Sequence, residues 1–245
     1  MPLRYRRRSD TRPPHFQLRP GTIDESVYRA VVEENVYRLS ERLSPLGVVL
    51  DVGAHIGCFS WSCWVRGATR IEAFEPDREN AKIARQNLKP TSVAVRRLAV
   101  WRSDRGHGVL RYSGYTKMLP DGPDPVGVNT GGGDVFAQSG PRIKTVGLDQ
   151  IIADREISIL KLDCEGSEYP ILLTSKKLKQ VRAIIGEYHL KKMIPSFARV
   201  PGIDSYSVGT LAELFARLRF KVEFVPYPDP RFSSCVGSFF AYNLD

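Results

Sequence analysis

The hydrophobic positions of the chain form short apolar runs separated by segments of helical spacing. Such runs predict strands that are buried on both faces of a sheet. They cover residues 48–52, 70–74, 93–100, 157–162, 181–186, 221–225 and 238–242. Apolar residues at every third or fourth position predict helices at 58–66, 76–87 and 211–218. Strands that alternate with helices indicate an α/β fold with a mostly parallel sheet.

A further helix is predicted before the first strand. Thr22 followed by Glu25 fits a capping box at the start of a helix. Apolar residues then keep an approximate helical spacing to Leu43, and Pro45 and Gly47 end the pattern. We therefore expect a helix over residues 22–43.

Residues 113–142 interrupt the alternation of strands and helices. The segment is rich in glycine and proline, and a connection of this length inside a compact domain is usually functional or disordered. Because it follows the third predicted strand, it is expected near the ligand-binding edge of the sheet. We predict a substrate-side insertion loop, and an inert insertion is the alternative.

The size of the chain, 245 residues, fits one large domain with an N-terminal extension. We assign residues 1–21 to a basic flexible arm and residues 22–245 to the domain. No apolar stretch approaches the roughly 20 residues of a membrane-spanning helix. The basic N-terminus is not followed by the apolar core of a secretory signal. We therefore expect a cytoplasmic protein that has no membrane partner.

The formal net charge of +9 predicts attraction to an anionic partner. Much of the excess lies in the arm, which contains arginine at positions 4, 6, 7, 8, 12 and 19. The arm is either a solvated tail or a segment that contacts phosphate groups. Nucleic acid is a possible partner of the arm, but we do not favour it.

A glycine turn lies between the first predicted strand and the helix after it. Gly53 and Gly57 allow the backbone to turn tightly and approach a ligand closely. Asp51 ends the strand two residues before Gly53, where a carboxylate would repel a pyrophosphate but could bind an ammonium group. This pattern favours S-adenosylmethionine over NAD.

The second predicted strand ends at another acid, Glu75, which precedes Pro76. In this kind of fold an acid at this position binds the ribose hydroxyls of a nucleotide. Together with the glycine turn, Glu75 predicts a nucleoside-binding site at the carboxyl ends of the strands.

Acidic residues also follow the strand at 157–162 and end the strand at 181–186. Asp163 and Glu165 come after the first of these, and Glu187 and His189 after the second. We predict these four as the catalytic residues, with His189 as the general base because its reference pKa lies near neutrality. The alternative for His189 is a structural role, held in place by Glu187. Glu168 is expected either to bind an acceptor hydroxyl or to begin the next helix.

We predict no metal site. Asp163, Glu187 and His189 form a chemically reasonable set of ligands, but we favour direct roles in catalysis for them. The four cysteines lack the spacing of a zinc site or of a disulfide framework, so we expect reduced thiols.

Residues 48–88, together with the later sequence LKLDCEGSEYPIL, resemble the FkbM family of methyltransferases. The family pattern is DVGANxG, then an acid followed by proline, then K-x-D-x-E-G-x-E, and this chain has His55 where the family usually has asparagine. The resemblance implies a class I methyltransferase fold, which is Rossmann-like. It further implies a seven-stranded, mostly parallel sheet with an antiparallel last strand and helices on both faces.

The resemblance also implies the residues that bind S-adenosylmethionine. Asp51, Gly53, Ala54 and Gly57 are expected around the methionine part, and Glu75 on the ribose. Ala99, Val100 and Asp104 are expected near the adenine. The complete predicted set is Asp51, Gly53, Ala54, His55, Gly57, Glu75, Pro76, Ala99, Val100, Asp104 and Asp163.

The function expected from these residues is methyl transfer to a hydroxyl group of a small-molecule or sugar-containing acceptor. The choice of oxygen as the methylated atom depends on the family resemblance. Two alternatives are an RNA 2′-O-methyltransferase, suggested by the basic arm, and a nucleotide-binding module without catalytic activity. An NAD(P)-dependent oxidoreductase is disfavoured because Asp51 is present and the G-x-G-x-x-G spacing is missing.

Overall fold

The computed structural model describes residues 13, 15–105, 108–114, 116–117, 128–136, 138–193 and 200–245. Its α-helices are α1 (Asp24–Tyr28), α2 (Cys58–Val65), α3 (Arg78–Asn87), α4 (Leu148–Ile152), α5 (Glu168–Thr174) and α6 (Val208–Arg217). Its strands are β1 (Val48–Val52), β2 (Arg70–Phe74), β3 (Ala94–Arg96), β4 (Ala99–Trp101), β5 (Gly108–Arg111), β6 (Thr116–Lys117), β7 (Val128–Asn129), β8 (Arg142–Gly147), β9 (Ile157–Leu162), β10 (Val181–His189), β11 (Phe220–Pro226) and β12 (Val236–Asn243).

Seven strands form the main sheet, in the order β11-β12-β10-β9-β1-β2-β3. Strands β10, β9, β1, β2 and β3 run parallel to one another, whereas β12 is antiparallel to both β10 and β11. The predicted fold class, a mostly parallel seven-stranded sheet with an antiparallel last strand, is therefore confirmed.

Helices cover both faces of this sheet, as the resemblance implies. Along β1 the side chains alternate, so that Leu50 packs in one hydrophobic cluster with residues of α5 and α6. Val49 packs in the second cluster with Phe59 of α2 and Leu88 after α3. Every residue of β1 is buried, which explains why its sequence is apolar throughout except for Asp51.

The predicted strand over 93–100 is wrong as a single element. The chain turns between Arg96 and Leu98, where the Leu98 amide donates to the Arg96 carbonyl at 3.0 Å. Strand β3 therefore ends the main sheet, and β4 joins a separate three-stranded sheet with β5 and β8. The turn is what brings Ala99 and Val100 back towards the end of β2.

The predicted helix over 22–43 is also shorter than expected. It consists of α1 followed by one π-helical turn, Arg29–Glu33, and the N-cap is Ile23 without a side-chain bond. The predicted capping box does not form, because Ile23 is the N-cap and the Thr22 hydroxyl accepts from the amide of Asp24 and donates to the Arg19 carbonyl. The helix ends before Asn35, whose φ is +55° and whose side chain bonds to the backbone of Leu39.

Part of the predicted arm packs on the domain. Phe16 is 1% exposed and meets Tyr28 edge to face, and the Gln17 amide donates to the side chain of Asn87 at 2.6 Å. The domain therefore begins before residue 22, and positions 1–12 lie outside the described residues. All four cysteines are free thiols. In the described parts of the chain, no helix has the length and apolar character needed to cross a membrane.

Candidate active site

The glycine turn after β1 is built around close backbone contacts. Gly53 has a φ of +78°, and a Cβ atom there would lie 1.8 Å from the carbonyl oxygen of Asp163. Gly57 has a φ of +92°, and its Cβ would lie 2.8 Å from the side chain of Leu88. Gly53 thus allows the ends of β1 and β9 to approach, whereas Gly57 allows α2 to pack near α3.

Glu75 lies directly after β2 and is 4% exposed. Its two carboxylate oxygens accept hydrogen bonds from the backbone amides of His55, at 2.7 Å, and Asp77, at 2.8 Å. Burial raises the pKa of Glu75 to about 8, although both amide bonds oppose this shift. The carboxyl group is therefore fixed in direction and depends on a ligand for further hydrogen bonds.

A cavity of about 290 Å³ opens beside Glu75. It lies at the carboxyl ends of the parallel strands, where ligands bind in folds of this class. The predicted cofactor residues that line it are Gly53, His55, Glu75, Pro76, Ala99, Val100 and Asp163. Sequence reasoning did not identify several other lining residues, among them Phe74, Asn80, Leu98, Tyr112, Val135, Cys164 and Ser167.

Four of the predicted cofactor residues do not line the cavity. Asp51 is completely buried behind the turn, where the hydroxyl of Ser60 donates to it at 2.7 Å. Ala54 and Gly57 pack inside the turn. Asp104 lies at the surface, where it pairs with Arg102 at 2.7 Å. The structure therefore gives no support to an adenine contact from Asp104.

The side chain of Lys161, in β9, contacts the glycine turn that follows β1. Its ammonium donates a hydrogen bond of 2.6 Å to the carbonyl oxygen of Gly53, and lies 3.5 Å from Asp51 and 3.7 Å from Asp163. Burial lowers the pKa of Lys161, but the negative charges of Asp163 and Asp51 have the larger effect, so that the net change is an increase in this pKa. The spacing of Lys161 and Asp163 in the K-x-D motif puts both side chains on one side of the strand. That signal was present in the sequence and was not used.

Asp163 lines the cavity, and a ring nitrogen of His189 lies within 4.8 Å of its carboxylate. The hydroxyl of Tyr37 donates to Asp163 at 2.9 Å. The Nδ1 atom of His189 lies 3.2 Å from Glu168, and its Nε2 atom lies 3.5 Å from Glu165 and 3.9 Å from Glu187. The four residues predicted as catalytic, Asp163, Glu165, Glu187 and His189, are thus brought together.

The general-base assignment for His189 fits this geometry poorly. Burial lowers the pKa of an imidazole, but here the carboxylates of Glu168 and Glu165 outweigh it and raise the pKa of His189 well above its usual value. A ring that already holds its proton cannot accept another. The raised pKa therefore counts against His189 as the general base.

Glu168 performs the structural role considered for it. It is completely buried, and its carboxylate accepts hydrogen bonds from the backbone amides of Cys164, at 2.7 Å, and Gly166, at 2.9 Å. These bonds hold the turn in which Glu165 has a φ of +53°. Glu168 therefore stabilises the start of α5 and positions His189 at the same time.

Residues 128–136 of the predicted insertion loop approach the cavity from above. Thr130 is 2% exposed; its hydroxyl donates to Asp24 at 2.9 Å and lies 2.8 Å from Nε2 of His55. Arg19 also binds Asp24, at 2.8 Å. These contacts join the N-terminal segment and the loop to the glycine turn, and Asn129, Gly131 and Gly133 line the cavity.

A second cleft, of about 540 Å³, adjoins the cavity. The two share seven lining residues, among them Asp163, Glu165 and Glu187, which therefore lie between them. The cleft is further lined by the aromatic side chains of Tyr37, Tyr227 and Phe232. This arrangement suits a reaction in which one ligand passes a group to another across the carboxylates.

A family model, the methyltransferase FkbM domain, matches residues 51–219. No curated protein matches the chain. Among solved structures, methyltransferase FkbM from Methylobacillus flagellatus KT is 14% identical with a TM-score of 0.48, and the match covers 88% of this chain and 48% of that protein. The chain thus spans about half the length of that relative. Precorrin-6y C5,15-methyltransferase from Geobacter metallireducens GS-15 is 14% identical with a TM-score of 0.44, and 92% of each chain is covered.

Proposed function

The chain belongs to the FkbM methyltransferase family, and we propose that it transfers a methyl group from S-adenosylmethionine to a hydroxyl group of a small-molecule or sugar-containing acceptor. The family model covers well over half of the 245 residues. The observation that carries the proposal is the junction of the cavity and the cleft at Asp163, Glu165 and Glu187.

The residues around the cavity fit an adenosine-containing cofactor. Glu75 presents a carboxylate that is held from behind by two backbone amides, and the two ribose hydroxyls would donate to it. Leu98, Ala99 and Val100 supply apolar contacts for an adenine ring.

NAD fits these residues less well. Its pyrophosphate would lie near Asp163, whose pKa is lowered by the neighbouring Lys161 and which therefore stays negatively charged, and like charges in a buried site repel. S-Adenosylmethionine instead carries two positive charges, on its ammonium and sulfonium groups. The charge of the cavity lining therefore supports the methyl donor.

When bound, S-adenosylmethionine supplies a methyl group on a positively charged sulfur atom. In the reaction, the acceptor oxygen forms a bond to the methyl carbon, and the sulfur keeps the electron pair of the bond that breaks. The protein would align the acceptor hydroxyl and take up its proton. Glu165 and Glu187 line both spaces. Burial raises the pKa of Glu165 to about 7 and that of Glu187 to about 8, so that either group, when ionised, can accept the proton. The aromatic side chains of Tyr227 and Phe232 provide a surface on which the acceptor could pack.

The RNA alternative draws on the basic residues of positions 1–12, which lie outside the described residues. No contact in the described part of the chain favours it. We therefore keep a small hydroxylated molecule as the proposed acceptor.

Calorimetric titration with S-adenosylhomocysteine tests the cofactor part of the proposal. Glu75→Ala should weaken binding by about 1.5–3 kcal/mol, the scale of a lost hydrogen bond to a charged group. Glu79→Ala, an exposed acid in the first turn of α3, is the control and should bind as the wild type does. Binding of NAD in place of S-adenosylhomocysteine, or equal affinities for the two variants, would contradict the proposal.

Transfer of labelled methyl groups to a panel of sugars and other hydroxylated compounds tests the acceptor part. Product analysis then identifies the methylated atom, and a nitrogen or carbon product would overturn the assignment to oxygen. If RNA is methylated, and if this methylation decreases steeply as the salt concentration rises, the RNA alternative would be favoured.

A further inference from the structure

The junction between the cavity and the cleft holds more carboxyl groups than basic groups. The carboxylates of Asp51, Asp163, Glu165, Glu168 and Glu187 surround two basic groups, Lys161 and His189. Buried carboxyl groups in excess of their basic partners either hold a proton or lie beside a further cation. Two of these residues, Lys161 and Asp51, form a pair behind the turn, so that the excess lies on the side that faces the ligands.

Three side chains at this junction have the arrangement of metal ligands. One ligand atom from each of Asp163, Glu187 and His189 lies within 4.8 Å of the others. Oxygen and nitrogen ligands stand about 2.0–2.4 Å from a divalent cation, so two of them can be about 4–5 Å apart across it. A cation placed between the three atoms therefore needs only small side-chain rotations.

The hydrogen bonds around these side chains leave the required atoms available. In the described part of the chain, Tyr37 and Lys161 both contact the Oδ2 atom of Asp163, so that Oδ1 remains for a ligand. His189 directs Nδ1 towards Glu168 and Nε2 towards the acceptor side, near Glu165 and Glu187.

The Glu168–His189 contact is itself characteristic of metal sites. Histidine ligands usually donate their second ring nitrogen to a carboxylate, which fixes the orientation of the ring. Glu168 is completely buried and is held by two backbone amides, so it cannot turn away from His189. His189 is only 4% exposed, and its position is therefore determined before any ligand arrives.

We propose that Asp163, Glu187 and His189 bind one divalent cation of the Mn²⁺ type between the cofactor cavity and the acceptor cleft. Two carboxylates and one imidazole form a mixed ligand set that suits such an ion, which would displace the proton from Nε2 of His189. Water or an acceptor hydroxyl would complete its coordination. The cation balances the excess of carboxylates. It also stands where negative charge develops on the acceptor oxygen as its proton passes to Glu165.

The role of the cation in methyl transfer rests on the proposed function, whereas its binding does not. Titration of the protein with Mn²⁺, followed by the decrease in the electron paramagnetic resonance signal of free Mn²⁺, measures binding directly. We expect one ion per chain. Glu187→Gln and His189→Gln should each weaken binding at least tenfold, and His15→Gln, the same change at an exposed histidine, should leave it unchanged.

Electron spin echo modulation by a coordinated nitrogen provides a second readout. It should be present in the wild type, His15→Gln and, at saturating Mn²⁺, Glu187→Gln. It should be lost in His189→Gln. Should that variant not fold, the Glu187→Gln affinity and the wild-type nitrogen signal still decide the question, because Glu187 is 30% exposed and glutamine has the same shape.

The proposal is overturned by the absence of binding up to about 1 mM Mn²⁺, a range that includes weak sites. It is also overturned by bound Mn²⁺ without a nitrogen signal, or by equal affinity in Glu187→Gln. Binding of S-adenosylhomocysteine in the presence of a chelator separates the two ideas. If S-adenosylhomocysteine binds and Mn²⁺ does not, only the metal site is wrong. If Mn²⁺ binds and S-adenosylhomocysteine does not, only the proposed function fails.

Discussion

The ammonium group of Lys161 donates a hydrogen bond of 2.6 Å to the carbonyl oxygen of Gly53, and this bond joins β9 to the turn that follows β1. The same ammonium stands between Asp51 and Asp163, at 3.5 and 3.7 Å. Lys161 therefore links a carboxylate that never meets the ligand to one that lines the cavity. Because the lysine side chain is only 4% exposed, water cannot replace it.

Lys161→Met should destabilise the protein by about 3–5 kcal/mol, because it leaves the buried Asp51 without a counter-charge. The double variant Lys161→Met/Asp51→Asn should lose less stability than the sum of the single variants, since it removes both charges. Urea unfolding of the four proteins measures this difference. Lys82→Met, at an exposed position of α3, should change stability by no more than about 0.5 kcal/mol. Additive costs for the two single changes would contradict the pairing.

Gly53→Ala separates steric contact from backbone conformation. The added Cβ would lie 1.8 Å from the Asp163 carbonyl oxygen, so β9 must move. We expect the free energy of unfolding to decrease by about 2–4 kcal/mol and the binding of S-adenosylhomocysteine to be lost.

Gly21→Ala is the matched control for that change. Gly21 has a similar φ of +72°, but no atom lies within 4 Å of the added Cβ. Only the conformational cost, about 1 kcal/mol, should appear there. Similar losses in the two variants, measured by urea unfolding, would exclude the close approach as the reason for glycine at position 53.

The strands of the fold were predictable because burial on both faces leaves a local apolar run, as at β1 and β9. The turn between Arg96 and Leu98 was not, because it depends on where the main sheet ends rather than on the composition of 93–100. The early end of the helix at residue 33 has a similar origin. The chain turns there, and Tyr37 reaches Asp163.

The place of a residue in the cavity lining could be predicted where it depends on one strand end, as at Glu75 and Asp163. Asp51 was misplaced because its role depends on which face of β1 it occupies. It shares the face of Val49, next to α2, where Ser60 binds it. The environment of His189 depends on Glu168, which comes from another element and 21 positions away. Such a contact is not visible in the spacing of residues.

Tyr37→Phe should affect methyl transfer more than cofactor binding. The Tyr37 hydroxyl donates to Asp163 at 2.9 Å, and its loss frees the carboxylate to rotate. We expect kcat to decrease about tenfold, the effect of roughly 1.4 kcal/mol, whereas the Kd for S-adenosylhomocysteine changes little. Tyr242→Phe, at a residue that is 45% exposed, is the control. A change confined to the affinity for S-adenosylhomocysteine would place Tyr37 with the cofactor instead.

Glu75 predicts that cofactor binding depends on pH near neutrality. Burial raises the pKa of Glu75 to about 8, so the carboxyl group of the empty protein holds a proton at pH 7 and loses it as the pH rises through 8. The charged form accepts hydrogen bonds from both ribose hydroxyls and should bind the cofactor more tightly. Binding then releases one proton, and the affinity should increase by up to about tenfold per pH unit below the pKa.

Calorimetric titration of S-adenosylhomocysteine between pH 6 and pH 9 measures this dependence. The affinity should rise with pH and level off above the pKa of about 8. Glu75→Gln cannot ionise, so this component of the pH dependence should disappear while binding stays weak throughout. If the wild type and Glu75→Gln vary with pH in the same way, the titrating group lies elsewhere and Glu75 is already charged in the empty cavity.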